Sequence, residues 1–197
     1  IVSETKGLMG FNVTIPYKEE IIPMLDKLSK TAKIIGAVNC VTVSKKRKLK
    51  GYNTDYYGFK KSIKPLLKEH HKKALILGTG GASKAVAYAL RKLKIEYDFV
   101  SRTPDEFQFD YADLNAEVFE EYHIIINTTP VGTHPNVEDF PNLDYSLFTK
   151  KHIAYDLVYN PEETAFLKKA KELGAKTKNG YDMLVFQAEK AWKIWNE

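Results

Sequence analysis

Two polar side chains in the first third of the sequence are of types that can move a proton. Lys18 ends the run NVTIPYK, where Phe11, Val13 and Ile15 alternate with Asn12 and Thr14 until Pro16 stops the extended pattern. Asp55 closes GYNTD. A positioned ammonium can donate to an oxygen that is gaining negative charge, and a nearby carboxylate can share the proton traffic. Side by side, an ammonium and a carboxylate each favour the other's ionised form. Pro16 fixes the backbone just before the lysine, which suits a group whose position matters. Both residues also have plain readings. Lys18 is one of 30 Lys and Arg, and Asp55 can serve as an Asx-type cap of the NTD turn.

A second constellation is LGTGGASKAV. Strict G-x-G-x-x-G spacing needs glycine at 78, 80 and 83, but position 83 is Ser; the glycines are Gly78, Gly80 and Gly81. The setting still fits dinucleotide binding. Gly78 permits a tight turn, Gly80 lets backbone approach a pyrophosphate, and a helix starting near Ala82 aims its N–H groups at that anion. About one strand further on stand Ser101, Arg102 and Thr103, where an NAD-type fold carries an acid. A guanidinium with two hydroxyls suits a 2′-phosphate, so these residues favour NADP(H). An exposed turn arginine and a glycine-rich turn of another α/β fold are the plain readings. Hydride delivered to a ketone leaves an alkoxide that needs a proton, and this is work Lys18 and Asp55 can do. Thr14 and Asn39 add neutral donors and acceptors suited to a polyol. Gln187 lies one helical turn from Met183, beside a stripe of Leu184, Ala188, Ala191 and Trp195.

These groups need elements to hold them. FNVTIP reads as a strand, and KEEIIPMLDKLSKTAKII as one helix with Ile22, Leu25, Leu28 and Ala32 on a common face. VNCVTVS and KLKGYNTD read as extended segments around the basic turn KKRKLK. DYYGFKKSIKPLLKE is a helix with a possible kink at Pro65. From residue 74 the character changes. ALILG is a nearly continuous apolar run, as a strand buried on both faces requires. ASKAVAYALRKL follows with helical spacing, then YDFVS, the helix-poor DEFQFDYADLN, YHIIIN, HIAYDLV and GAKTKN as strand candidates. PEETAFLKKAKEL reads as a helix with Asn160 as N-cap, Pro161 at its first position and Gly174 just past its end. DMLVFQAEKAWKIW closes the chain as an amphipathic helix. Strand–helix alternation of this kind predicts a doubly wound parallel α/β sheet.

Composition narrows the classes. The chain has 197 residues, a net charge of +5 and one cysteine, Cys40. One cysteine allows no internal disulfide, no Cys/His cluster has metal-ligand spacing, and no apolar run is long enough to span a membrane. These features suit a cytoplasmic protein acting on a small molecule. The basic residues fall in short runs at turns, without the aromatic interleaving of a nucleic-acid surface. The five histidines, at 70, 71, 123, 134 and 152, read as surface or loop residues.

The motifs NVTIPYK, GAVN, GYNTD, LGTGGASKA, SRT, INTTPVG, DLVYNP with a following threonine, and NG with MLVFQA run in this order from residue 12 to residue 188. In that order they resemble the shikimate dehydrogenase family. The resemblance implies a Rossmann-type cofactor domain over residues 61–180. It also implies a smaller α/β substrate domain over residues 1–60, to which residues 181–197 return. It implies reversible NADPH-dependent reduction of 3-dehydroshikimate to shikimate, on the route to aromatic amino acids and chorismate, by a monomer or homodimer. Lys18 and Asp55 match the family's catalytic residues. Thr14, Asn39, Tyr159 and Gln187 match its substrate-binding residues. Gly78, Thr79, Gly80, Gly81, Ala82, Ser101, Arg102, Thr103, Thr129, Gly180 and Met183 match its cofactor site. There are departures. The family commonly has Asn at the position of Ser101 and a second basic residue soon after the SRT-type turn, where this chain has Asp105 and Glu106. Family members also open with a strand and a paired-serine motif, and this sequence starts after them. A quinate/shikimate dehydrogenase using NAD and a non-catalytic metabolite sensor of the same fold are the other readings.

Overall fold

In the computed structural model, which describes residues 5–197, two sheets are joined by helices that pack against each other. Residues 10–52 build a four-stranded sheet from β1 (Gly10–Asn12), β2 (Lys27–Leu28), β3 (Cys40–Val43) and β4 (Leu49–Tyr52) in the order β1-β3-β4-β2. β3 pairs antiparallel with β1 and β4, and β2 runs parallel to β4. Between β2 and β3 lies helix α1 (Lys30–Ile35). Helix α2 (Asp55–Ile63) leads away from this sheet.

Residues 73–178 form a six-stranded, wholly parallel sheet. Its strands are β5 (Lys73–Leu77), β6 (Glu96–Ser101), β7 (Gln108–Asp110), β8 (Ile124–Asn127), β9 (Ile153–Asp156) and β10 (Lys176–Lys178). The order β10-β9-β8-β5-β6-β7 has its reversal between β5 and β8, the place where doubly wound sheets open a crevice. Helices α3 (Gly81–Leu93), α4 (Ala116–Glu121) and α5 (Ala165–Glu172) cross between strands, and α6 (Tyr181–Asn196) ends the chain. Period-two alternation within β5 sorts the core. Ala74 and Ile76 pack with Val86 and Leu90 of α3, Phe59 and Ile63 of α2 and Met183 of α6. Leu75 and Leu77 pack on the other face with Phe119 of α4 and Phe166 and Leu167 of α5. The strand is buried on both sides, and so its sequence is an unbroken apolar run.

Helix α6 bridges the two sheets. It lies against α2 at Gly58, where any β-carbon would meet the Met183 carbonyl. At its far end the Trp195 indole N–H donates to the carbonyl of Val41 in β3 at 3.0 Å.

The single helix expected over residues 18–35 is instead three pieces: a 3-10 turn at Ile22–Met24 containing Pro23, strand β2, and α1. Long-range pairing wins over local propensity here. Leu28 pairs with Gly51, and the Asp26 carboxylate accepts from the Leu49 N–H at 2.8 Å and the Lys48 ammonium at 2.7 Å. Ser29 then caps α1 by accepting from Ala32 N–H. Ile22, Leu25, Leu28 and Ala32 still reach one core, under the small sheet with Val13, Val38 and Val41. Helix α5 also starts later than expected. Its N-cap is Thr164, whose Oγ1 accepts from Leu167 N–H, and Asn160 and Pro161 lie outside the helix. Gly174 follows its end with φ of +89°. α2 stops at Ile63, and a 3-10 turn containing Pro65 follows.

Four of the five histidines come together. His70, His71, His123 and His152 gather at the ends of the turns entering β5, β8 and β9, with neighbouring ring centroids 4.1–5.4 Å apart. His71 and His152 are buried rather than superficial. Each accepts a backbone N–H on Nδ1, from Lys68 at 2.8 Å and Thr149 at 3.0 Å. Their Nε2–H groups donate to the carbonyls of Lys151 and Phe119. Burial, with the nearby His70 next, pushes His71 down to about 4, and burial also lowers His152. His123, Lys68 and Lys151 face these rings and act in the same direction. At His71 the native state therefore binds fewer protons than the unfolded chain between about pH 6.5 and pH 4, so the contribution of this site to stability falls as pH drops through that window. Chemical denaturation at the two ends of the window should show a loss for the wild type, reduced in His71→Gln.

Candidate active site

The C-terminal ends of β1, β8 and β9 meet the first turns of α2, α3 and α6 around a cleft of about 580 Å³. Among the described residues, Lys18 and Asp55 are the only Lys, Arg, Asp or Glu that line it. Their Nζ and Oδ2 atoms are 2.8 Å apart, with side chains 13% and 7% exposed.

Each member of the pair is held from behind. After β1 the chain turns at residues 15–20, and the carbonyl of Lys18 accepts from Val38 N–H at 2.7 Å. This hydrogen bond ties the lysine's backbone to the segment that enters β3. Asp55 is the first residue of α2, where the helix dipole favours negative charge. Its second oxygen, Oδ1, accepts from the Asn39 amide at 2.8 Å. Asn39 is 3% exposed and its Oδ1 accepts from Thr54 N–H at 2.6 Å. The Asn39 Nδ2 atom faces three acceptors with two hydrogens: Thr54 Oγ1 at 2.9 Å, Asp55 Oδ1, and Gln187 Oε1 at 3.2 Å. Gln187 holds the loosest of these contacts, so its carbonyl is the one most easily turned to an incoming hydroxyl. Lys18 spends one of its three N–H donors on Asp55, which leaves two to point at an oxygen in the cleft.

The other residues singled out in the sequence fall into two groups. Thr14, Tyr159, Ala82, Thr129, Gly180 and Met183 line the same cleft as Lys18, Asp55, Asn39 and Gln187. Gly180 is the N-cap of α6, and its missing side chain lets the helix sit on the backbone of Leu157. Gly78, Thr79, Gly80, Gly81, Ser101, Arg102 and Thr103 lie outside the cleft lining, between the end of β5 and the start of α3 and at the end of β6. Gly78 has φ of +99°, and a β-carbon there would sit 2.9 Å from Thr129 Cγ2, so the turn requires glycine. The space beside Gly80 is open, and no side chain caps the first turn of α3. Ser83 accounts for the departure from the three-glycine spacing. It is fully buried and its hydroxyl donates to the Gly80 carbonyl at 2.6 Å, so it fastens the turn that a third glycine would merely have allowed. Lys84 pairs with Glu19 at 2.5 Å, linking the glycine turn to the segment carrying Lys18.

Some residues of the site escaped the sequence reading. Thr54 is completely buried, and its hydroxyl lies 3.2 Å from Gln187 Oε1. The signal was its place inside GYNTD, but a threonine before an aspartate in a turn reads as a cap. Asn12, Thr128, Thr133 and His134 line the cleft itself. For Asn12 the signal was the alternation with Phe11 and Val13, which sends it to the face opposite the core.

With this geometry in place, comparison with known proteins is specific. The family model described as the shikimate dehydrogenase substrate binding domain matches residues 2–41. The shikimate dehydrogenase (NADP(+)) of Carboxydothermus hydrogenoformans is 43% identical over 94% of this chain and 71% of its own length. Among solved structures, shikimate dehydrogenase from Aquifex aeolicus is 44% identical with a TM-score of 0.84, covering 95% of this chain and 72% of that one. The Thermus thermophilus enzyme, in complex with NADP(H) and shikimate, is 35% identical with a TM-score of 0.84, over 96% of this chain and 74% of that one. Likeness at this level, across both sheets and the cleft between them, places the chain in the shikimate dehydrogenase family.

Proposed function

We infer that this chain interconverts 3-dehydroshikimate and shikimate with NADP(H), and the observation that carries the reading is the Lys18–Asp55 pair, 2.8 Å apart in a cleft with no other Lys, Arg, Asp or Glu among its described lining residues. The cofactor fits the residues present. The open space at Gly80, the uncapped first turn of α3 and the forced turn at Gly78 suit a pyrophosphate. Arg102 at the end of β6 suits a 2′-phosphate, with Ser101 and Thr103 beside it. Gly78, Thr79, Gly80, Gly81 and Ala82 would hold the phosphates, and Thr129, Gly180 and Met183 the nicotinamide end. When bound, NADPH supplies the hydride.

The chain's own part is to bind the polyol and manage one proton. Lys18 donates to the carbonyl oxygen and stabilises the negative charge that develops there. It then passes a proton to that oxygen. Asp55 keeps the ammonium aimed, and in the reverse direction the hydroxyl proton returns by the same path to the Lys18 amine, which Asp55 then holds as the ammonium. Thr14, Asn39, Tyr159 and Gln187 hold the substrate hydroxyls. Residues 1–60 with 181–197 act as the substrate unit, and residues 61–180 as the cofactor unit. Cys40 is buried and its thiol is pushed up to about 11 by burial, which suits a packing residue and not a nucleophile. No helix among the described residues is long and apolar enough to cross a membrane.

The test is growth of the reduced-nicotinamide absorbance band when the chain meets shikimate with NADP or NAD. Reduction of NADP supports the reading. Preference for NAD moves it to the quinate-type variant, and cofactor binding without reduction favours a sensor.

A further inference from the structure

Asp156 is the last residue of β9 and is completely buried, yet it does not line the cleft. Its carboxylate gathers three donors from three segments. Oδ1 accepts from Asn127 Nδ2 at 3.0 Å and Val158 N–H at 3.0 Å, and Oδ2 accepts from Thr164 Oγ1 at 2.6 Å. Asn127 is the residue directly opposite it in β8. The Asn127 Oδ1 atom in turn accepts from Thr129 N–H at 3.0 Å and Thr129 Oγ1 at 2.6 Å. One hydrogen-bonded chain thus runs from Thr129, through Asn127 and Asp156, to Val158, and both of its ends line the cleft. A buried carboxylate costs several kcal/mol in desolvation, and an apolar side chain would fill the same volume without that cost. Packing therefore does not explain an aspartate here, whereas the need for one acceptor shared by two loops does.

We propose that Asp156 is a positioning residue that locks the loop after β8 and the loop after β9 into one wall of the cleft, and thereby sets the affinity of that wall for the nicotinamide nucleotide. The proposal rests on the dehydrogenase reading above. It assigns Asp156 no contact with the reacting atoms. Burial pushes Asp156 up to about 6, against the pull of Thr164, Val158 and Asn127. The titratable groups facing it are the Tyr145 and Tyr155 phenols, which its charge helps to hold up. Asn127 from β8 and Thr164, the N-cap of α5, face it without charge. Below about pH 6 the carboxylate takes a proton and loses acceptor capacity, so the wall loosens.

The experiment compares the whole chain with Asp156→Asn, Thr164→Val and Thr164→Ser, by fluorescence titration with NADPH and by steady-state kinetics with shikimate. Asp156→Asn should weaken NADPH binding about tenfold while leaving saturated turnover within about threefold, because Lys18 and Asp55 are held by a separate network. Wild-type affinity should fall as pH drops through about 6, and that limb should be absent in Asp156→Asn. Thr164→Val, which loses one hydroxyl, should weaken binding by about threefold, and Thr164→Ser should restore it. Should Asp156→Asn not fold, the two Thr164 variants decide. Unchanged NADPH affinity in the variants overturns the proposal, as does turnover and affinity falling together with the melting temperature. Wild-type binding of NADPH without oxidation of shikimate removes the proposed function, yet the affinities still decide the role of Asp156. A wild type that binds no NADPH overturns both.

Discussion

Lys18→Ala is expected to lower turnover of shikimate with NADP by about 10²–10⁴-fold, the usual worth of a positioned acid–base group. NADPH affinity should change by less than about twofold, because the Lys18 ammonium is turned to Asp55, and the Cβ that packs beside Gly81 is the part of the side chain that alanine keeps. Single-turnover kinetics and a separate NADPH titration read the two effects apart. The lost ammonium also leaves Asp55, 7% exposed, with the Asn39 amide as its remaining partner in the site. An unpaired carboxylate in that setting is costly, so Lys18→Gln is the fairer probe of chemistry, since it keeps a donor and loses the charge. Asp55→Asn should also be slow. The double variant should be little slower than either single one, because the two residues act as a unit. Near-normal turnover in Lys18→Ala would overturn the assignment.

How much of this was legible beforehand follows from which forces act locally. β5 was readable because burial on both faces writes an unbroken apolar run over Ala74–Leu77. The turn after β5 was readable because Gly78 must adopt a positive φ, which few other residues tolerate. Residues 18–35 were misread because their shape is set from outside: Gly51 pairs with Leu28, and Leu49 and Lys48 hold Asp26. The site was half legible. Nothing in spacing brings together Lys18 and Asp55, which are 37 positions apart, and the ordered family motifs supplied that link. Asn39 and Gln187, 148 positions apart, were named the same way, while Thr54 between them was passed over. Thr54 and Asp156 are buried polar residues whose meaning lies in their partners, and those partners exist only after the chain has folded.

Arg102→Gln is expected to raise the KM for NADP by about 10–100-fold and to leave that for NAD nearly unchanged. The estimate is that of a charge-assisted hydrogen bond, about 1.5–3 kcal/mol, at about 1.4 kcal/mol per tenfold. Arg102 sits exposed where β6 ends, on the strand beside the glycine turn of β5. The first of the two acids that follow it, Asp105, weighs less than the sequence suggests. Asp105 turns its carboxylate onto its own loop, accepting from Phe107 N–H at 2.9 Å and Gln108 Nε2 at 2.5 Å. That charge is spent on shaping the turn and is not aimed at the neighbour of Arg102. Asp105→Asn should therefore shift the NADP/NAD preference far less than Arg102→Gln. With an exposed arginine the preference should also shrink as salt rises, since screening acts most on solvent-facing charges. If Asp105→Asn instead sharpened NADP preference tenfold or more, the acid would be competing with the 2′-phosphate. The SRT turn would then be the site of a compromise between two cofactors rather than of a choice.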